Sequence, residues 1–262
     1  MGQPNAAEEI WRAILTGQYA PLRRGRKIFK FIPSQPRCKF CNAPFGSPGK
    51  FISALLGKRP SRKNPNFCDI CALAMQIGGA EIELTMLFTD VRGSTALAEK
   101  LGAASFSRCL NRFYKIAVDI LIGSDALVDK FVGDEVIGLF IPGFAGPHHA
   151  RLALEAAEEI LFETGHRRPE GPWLPLGAGI HTGTAYVGAI GTPEGVNDLT
   201  ALGDSVNTTA RLASQAQAGE ILISEDAYQA AGAERDGSEQ RYLQLKGKSK
   251  PVCVRVLKSV AA

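Results

Sequence analysis

Two aspartates and four cysteines are the residues whose type and spacing promise chemistry in this chain of 262 residues. In MLFTDVRGST an apolar run climbs to Phe88 and meets Asp90, where polar, glycine-containing chain begins. A lone Asp at a strand end is usually a turn or helix-cap residue. A second carboxylate changes that reading. In DKFVGDEV, Asp134 follows Gly133 at the tip of what reads as a hairpin. A βαββ unit lays its first strand beside the following hairpin, so the end of strand one lies near the hairpin turn. Two carboxylates on one edge repel unless a cation sits between them. A few hard oxygen ligands with open positions suit Mg²⁺ or Mn²⁺ completed by substrate phosphates. Such a pair is the protein half of a two-metal site for in-line displacement at phosphorus.

Cys38, Cys41, Cys68 and Cys71 form two CxxC pairs, CKFC and CDIC, separated by the 26 residues 42–67. Two such pairs in a small basic segment mark a metal site. CDICALAMQI puts the second pair at the start of a helix, whose dipole favours thiolate. CKFCNAPFG reads as a knuckle turning at Asn42 and Pro44. Knuckle plus helix is a treble-clef arrangement, and one Zn²⁺ per chain held by four thiolates is expected. An iron–sulfur cluster is the alternative for the same ligands. Cys109, in an apolar helical stretch, and Cys253, in a strand, read as core residues. His181 reads as structural, and His148 and His149 as a solvated turn.

These residues need elements to hold them. Apolar content of 45% and charged content of 21% are globular values. Residues 1–80 hold 13 Lys or Arg and 3 Asp or Glu, and residues 81–262 hold 17 and 23. A basic front on an acidic body predicts two modules, 1–79 and 80–262, with the break at Gly78-Gly79. The front reads as a helix over 7–19 and another over 69–77. Beyond it, the spacing predicts a strand over 81–91, two helices from Ser94 to Gly123, a hairpin turning at Gly133-Asp134 and a helix over 146–164. PLGAGIHTGTAYVGAIG reads as two short strands around a glycine-rich turn. Strand-then-helix follows twice, and RYLQL and VCVRVL close the chain as strands. The order describes an α+β fold: a ferredoxin-like βαββαβ core with extra C-terminal elements. No apolar stretch reaches bilayer length, and the first residues show neither a signal-peptide pattern nor a myristoylation site. The expectation is a cytoplasmic protein with no transmembrane segment.

FTDVRGST, DKFVGDEV, GIHTG, LGDSVNTTAR and LKGKSKP stand in an order and near a spacing that resembles the catalytic domain of class III nucleotidyl cyclases, over roughly residues 82–257. The resemblance implies that Asp90 and Asp134, with the backbone of Val91, hold two Mg²⁺ or Mn²⁺ ions per active site. It implies that Lys130 and Thr200 read the base, Thr200 marking a Thr-bearing subclass. Asn207 would orient the ribose, Arg211 would stabilise the pentavalent phosphorus, and Lys246 would hold the terminal phosphates. Adenine presents an acceptor and a donor; a Lys ammonium donates and a Thr hydroxyl can accept. ATP is therefore the expected substrate, and 3′,5′-cyclic AMP and pyrophosphate the products. Sites in this family lie between two catalytic domains, so a homodimer is implied. Gly177 departs from the pattern, because many metal-binding halves carry a basic residue there.

Two other readings stay open from sequence: a catalytically silent cyclase-fold regulator, and nucleic-acid binding through the basic front. Aromatic residues do not interleave with the front's charges as single-strand recognition asks, so nucleic acid is not an expected partner.

Overall fold

A computed structural model describes residues 6–29, 31–32, 36–61, 67–74, 77–191, 197–233 and 238–258. The front contributes α1 (Ala6–Leu15), α2 (Ala20–Phe29), α3 (Lys50–Leu55) and α4 (Asp69–Ala74). Then come β1 (Gly78–Val91), α5 (Ser94–Leu101), α6 (Ala103–Gly123), β2 (Leu127–Val132), β3 (Glu135–Phe140), α7 (Pro142–Ala145) and α8 (His149–Glu163). The chain continues through β4 (Leu176–Gly191), β5 (Asn197–Leu202), α9 (Asp204–Gln215), β6 (Glu220–Ser224), α10 (Glu225–Ala230), β7 (Glu239–Leu243) and β8 (Val252–Lys258). This is the expected α+β architecture.

The chain packs as two compact units that do not follow a single cut in sequence. One takes in residues up to Glu83 together with Ile141–Pro147 and Thr184–Leu202; the other is Leu84–Phe140, His148–Gly183 and the chain from Gly203 onward.

The larger unit is built on a mixed sheet in the order β2-β3-β1-β4-β6-β8-β7. Its interior strand β1 is buried on both faces from Leu84 to Thr89, which is why that stretch reads as a continuous apolar run. β1 and β3 are antiparallel, with Asp90 opposite Glu135. The β2–β3 hairpin turns at Gly133-Asp134, Val132 pairing with Glu135, and Gly133 takes the left-handed conformation at φ 63°. Helix α6 turns Phe113, Ala117, Ile120 and Leu121 inward, the three-and-four spacing of a core-facing stripe.

Residues 176–191 correct the sequence expectation. They form one long strand, with no turn between two short ones. The glycines serve close packing. A Cβ on Gly177 would lie 2.7 Å from the Ala216 carbonyl oxygen, one on Gly179 2.3 Å from the Ala213 nitrogen, and one on Gly183 2.6 Å from Ser205 Oγ. These alternate positions share one face of β4, and α9 with the following residue Ala216 lies directly on them. Periodicity alone cannot separate a glycine that turns the chain from one that lets a helix approach.

The smaller unit holds the front module, α7 and β5 paired with the distal half of β4. The single helix expected over 7–19 is shorter, because Gly17 enters the left-handed region at φ 75° and ends α1. A second helix, α2, follows and carries RRGRK. Trp11 and Leu15 are the buried face of α1. Gly78 and Gly79 open β1 instead of ending the front. A Cβ on Gly79 would stand 2.4 Å from the Val187 carbonyl oxygen. The helix expected over 69–77 is α4, and residues 75–76 lie outside the described residues.

Arg26 ties this unit together. Its guanidinium donates to the carbonyls of Lys39 at 2.6 Å and Phe40 at 3.0 Å and to that of Gly143 in α7. Phe40 stacks on Phe67 at 4.7 Å and meets Phe144 edge-on at 5.5 Å. A Cβ on Gly143 would lie 2.5 Å from the carbonyl oxygens of Ile14 and Leu15. Only a glycine lets α7 press this close on the end of α1.

Candidate active site and metal centre

The ends of β1 and the β2–β3 hairpin bring acids together. Asp90 and Glu135 are cross-strand neighbours, and Asp134 is the turn residue beside them. Burial pushes the Asp90 carboxyl up; Arg92 opposes this and Asp134 adds to it. Glu135 is pushed up to about 7 by burial first, then by the charges of Asp90 and Asp134. Tyr114 donates its hydroxyl to the Gly133 carbonyl, which holds the turn. Burial and then the negative Asp134 raise its own pKa. A cluster that resists holding all its charges at once, built from oxygen donors, is a site prepared for a hard divalent cation.

Arg92 is the counter-charge already in place. It pairs with Asp90 and donates to the Ser214 carbonyl of α9 at 2.6 Å. Gly93, at φ 66°, then lets α5 begin at Ser94 with no side chain capping its first amides.

A second cluster forms on α9 and the loop between β7 and β8. Asn207 and Arg211 are four residues apart on α9 and so share a face. A Cβ on Gly247 would lie 3.7 Å from the Arg211 guanidinium, so the loop that carries Lys246 runs against Arg211. Lys248 pairs with Asp204 at the first turn of α9. Leu245 sits in a core cluster with Leu212, Ala216, Leu222 and Val254, which anchors the loop from below while Lys246 stays exposed. Lys130 is exposed on β2, 3.4 Å from its neighbour Asp129. Thr200 belongs to the smaller unit, buried on β5 opposite Gly188 of β4.

The four cysteines converge. Their Sγ atoms all lie within 4.8 Å of one another and all four residues are buried. Cys41 Sγ is 3.8 Å from Cys68 Sγ. The knuckle closes through Cys38 N–H to the Ala43 carbonyl and Asn42 N–H to the Cys38 carbonyl, with Asn42 at φ 62°. The other pair opens α4, where Cys68 N–H points at Cys38 Sγ from 3.3 Å and Cys71 N–H at Cys68 Sγ from 3.5 Å. Lys58 Nζ stands 3.7 Å from Cys41 Sγ. Hydrogen bonding to Cys38, above all, pulls the Cys41 thiol down and lowers Cys68 to about 7. Cys38 and Cys71 are pushed up. Four sulfurs this close cannot all be thiolates without a cation among them. Thiolates about 2.3 Å from one tetrahedral ion stand about 3.8 Å apart, the separation seen between Cys41 and Cys68.

Comparison with known proteins decides the family. The model of the adenylate and guanylate cyclase catalytic domain matches residues 80–258. The chain belongs to this cyclase family. Among solved structures, it is similar to the guanylyl cyclase Cya2, with TM-score 0.62 and 28% identity over 71% of this chain and 96% of that one. It is also similar to the adenylyl cyclase CyaB from P. aeruginosa, with TM-score 0.60 and 31% identity over 70% of this chain and 97% of that one. An uncharacterised protein of Mycobacterium tuberculosis is 32% identical over 181 residues, 68% of this chain. The chain spans about a third of that relative's length, 33%. Relatives named for either nucleotide thus surround this cyclase domain.

The sequence pointed to Asp90, Val91 and Asp134 on one side and to Asn207, Arg211 and Lys246 on the other, and each trio is gathered in the larger unit. Three participants escaped sequence reading: Glu135, Arg92 and Lys58. Glu135 adjoins Asp134 in the tripeptide GDE, and Arg92 stands two residues after Asp90, so both signals were adjacent. Lys58 carried none, since only folding brings it to the sulfurs. Other corrections concern minor residues. His149 is no solvated turn residue: its Nδ1 bonds Thr85 Oγ1 at 2.8 Å, and Thr85 also meets Thr182 at 2.7 Å. His181 is structural, its Nδ1 2.9 Å from Ser224 Oγ. Cys109 and Cys253 are half-buried, not core residues.

Proposed function

We propose that this chain converts ATP to 3′,5′-cyclic AMP and pyrophosphate at sites shared between the two subunits of a cytoplasmic homodimer. The observation that carries the proposal is the meeting of Asp90, Asp134 and Glu135 where β1 and the β2–β3 hairpin end, with the carboxyls of Asp90 and Glu135 pushed up by burial and neighbouring negative charge.

In this reading Asp90, Asp134 and the Val91 carbonyl hold two Mg²⁺ or Mn²⁺ ions, which when bound lower the pKa of the ribose 3′-hydroxyl and neutralise the triphosphate. The uncapped amides at the start of α5 receive phosphate oxygens. Asn207 fixes the ribose so that its 3′-oxygen faces the α-phosphorus. Arg211 supplies a fixed positive charge where negative charge grows on the α-phosphoryl oxygens. Lys246 holds the leaving phosphates. Lys130 donates to adenine N1 and Thr200 accepts from its amine.

Sharing between subunits is supported by the hairpin tip. Phe131 and Val132, beside Lys130 on the edge strand β2, are exposed apolar side chains. An edge strand with apolar exposure is a surface prepared for a partner. Among the described residues no helix is long and apolar enough to cross a membrane.

The front module is proposed to hold one Zn²⁺ per chain through Cys38, Cys41, Cys68 and Cys71. All Sγ separations within 4.8 Å suit one ion, whereas an iron–sulfide core would spread the four sulfurs wider. Incubation with Mn²⁺ and equal ATP and GTP, with chromatography of the products, tests the activity. Cyclic AMP in excess is expected. Cyclic GMP in excess would overturn the base assignment, and no cyclic product would favour the silent-regulator reading. Metal analysis of the same sample is expected to return zinc in a colourless protein; iron with sulfide would reject it.

A further inference from the structure

We propose that the front module docks the enzyme on an anionic lipid bilayer, through an exposed apolar face on α3 in a module rich in exposed cations. Phe51 is 69% exposed and Leu55 89%, with Ile52 and Leu56 exposed beside them. The face extends at both ends. Ile70, exposed on α4, reaches Gly57, where an added Cβ would lie 3.9 Å from its Cδ1. At the other end Ile32 packs on Gly49, 2.9 Å from where its Cβ would be. That contact brings the end of α2, with Phe31 84% exposed, next to the start of α3. This many large apolar side chains in one small module is not ordinary surface scatter.

The charge names the occupant. Residues 10–68 contain 13 Lys or Arg and no Asp or Glu. Lys50 and Arg59 flank α3 and Arg23, Arg24 and Lys27 line α2, all exposed. Lys50 Nζ lies 5.3 Å over the Phe51 ring. A second copy of this face would bring an equally positive module against the first. Nucleic acid would match the charge but gives Leu55 and Phe51 nothing to enter. A bilayer with acidic headgroups satisfies both, since apolar side chains enter the acyl boundary while cations stay among the headgroups. A combined apolar and polybasic signal is what stable peripheral attachment requires. Attachment of this kind lies on the membrane surface; among the described residues no helix is long and apolar enough to cross one.

The full-length, metal-loaded chain should be sedimented with vesicles of phosphatidylcholine alone and of phosphatidylcholine with phosphatidylglycerol. Binding is expected only to the anionic vesicles, and it should weaken as salt rises. Phe51→Asp with Leu55→Asp should bind at least about tenfold less, a loss set by the withdrawn apolar area. Both positions are open to solvent, so the double variant should keep its metal content and melting temperature. The milder Leu55→Ala should show a smaller loss in the same direction. Equal sedimentation of wild type and double variant overturns the proposal, as does equal binding to neutral vesicles. Tight binding to duplex DNA without vesicle binding would assign the face to nucleic acid. A fall in solution mass of the double variant would assign it to a second copy, and either result overturns the bilayer.

Discussion

Glu135 sits where folding and charge oppose each other. Its carboxyl titrates near 7 in the folded chain, against an ordinary 4.5. Between those values the folded state holds a proton that the unfolded chain has released. Stability of the metal-free protein therefore falls as pH rises through that window. Glu135→Gln removes the titration. Its melting temperature should fall less than that of wild type between about pH 5 and about pH 8, with divalent ions excluded. Adding Mn²⁺ at the higher pH should restore wild type more than the variant, because the ion relieves the repulsion that Glu135 shares. Matching pH profiles for the two proteins would show that Glu135 does not titrate in that range.

The contact between β4 and α9 leaves room for nothing larger than glycine at position 177. Gly177 faces the Ala216 carbonyl, and any Cβ there meets backbone. Gly177→Ala should destabilise the protein by about 1–3 kcal/mol, the usual penalty for overpacking, measured by urea unfolding. A neutral result would mean that α9 shifts easily. A lysine restored there should fare worse, and should not improve nucleotide binding. Arg26 acts at the same scale in the smaller unit. It joins the knuckle carbonyls of Lys39 and Phe40 to Gly143 in α7. Arg26→Ala should cost about 1.5–3 kcal/mol, as for hydrogen bonds to a charged donor. Hydrogen exchange should rise together at residues 38–45 and 141–147. A rise at only one of the two would separate the knuckle from α7.

For the whole molecule, the proposed site is completed by a second chain. Asp134→Ala and Arg211→Ala should each be inactive alone, Arg211→Ala by about 100- to 1000-fold. Mixed under conditions of subunit exchange, they form a dimer with both lesions in one site and none in the other. Recovery of cyclase activity is expected, up to half of wild type per dimer. No recovery, with exchange proven by light scattering or labelled subunits, would place all catalytic residues in a site within one chain.

By itself the sequence was enough for most strands and helices beyond residue 80 and for naming the candidate residues of the site. Strands and helices follow from local periodicity, and Asp90, Asp134 and the two CxxC pairs stand at strand ends and helix starts, where spacing along the chain carries the signal. The tertiary structure decided what depends on contacts between distant segments. It made the glycines of residues 177–183 a bed for α9, because a missing Cβ has no periodic signature of its purpose. It set Glu135 between two other acids and so moved its pKa, an effect of burial that no tripeptide encodes. It drew α7, more than a hundred residues away in the chain, into the unit of the cysteine module through Arg26. And it left Phe51 and Leu55 facing solvent, because the six residues of α3 bury only Ser53.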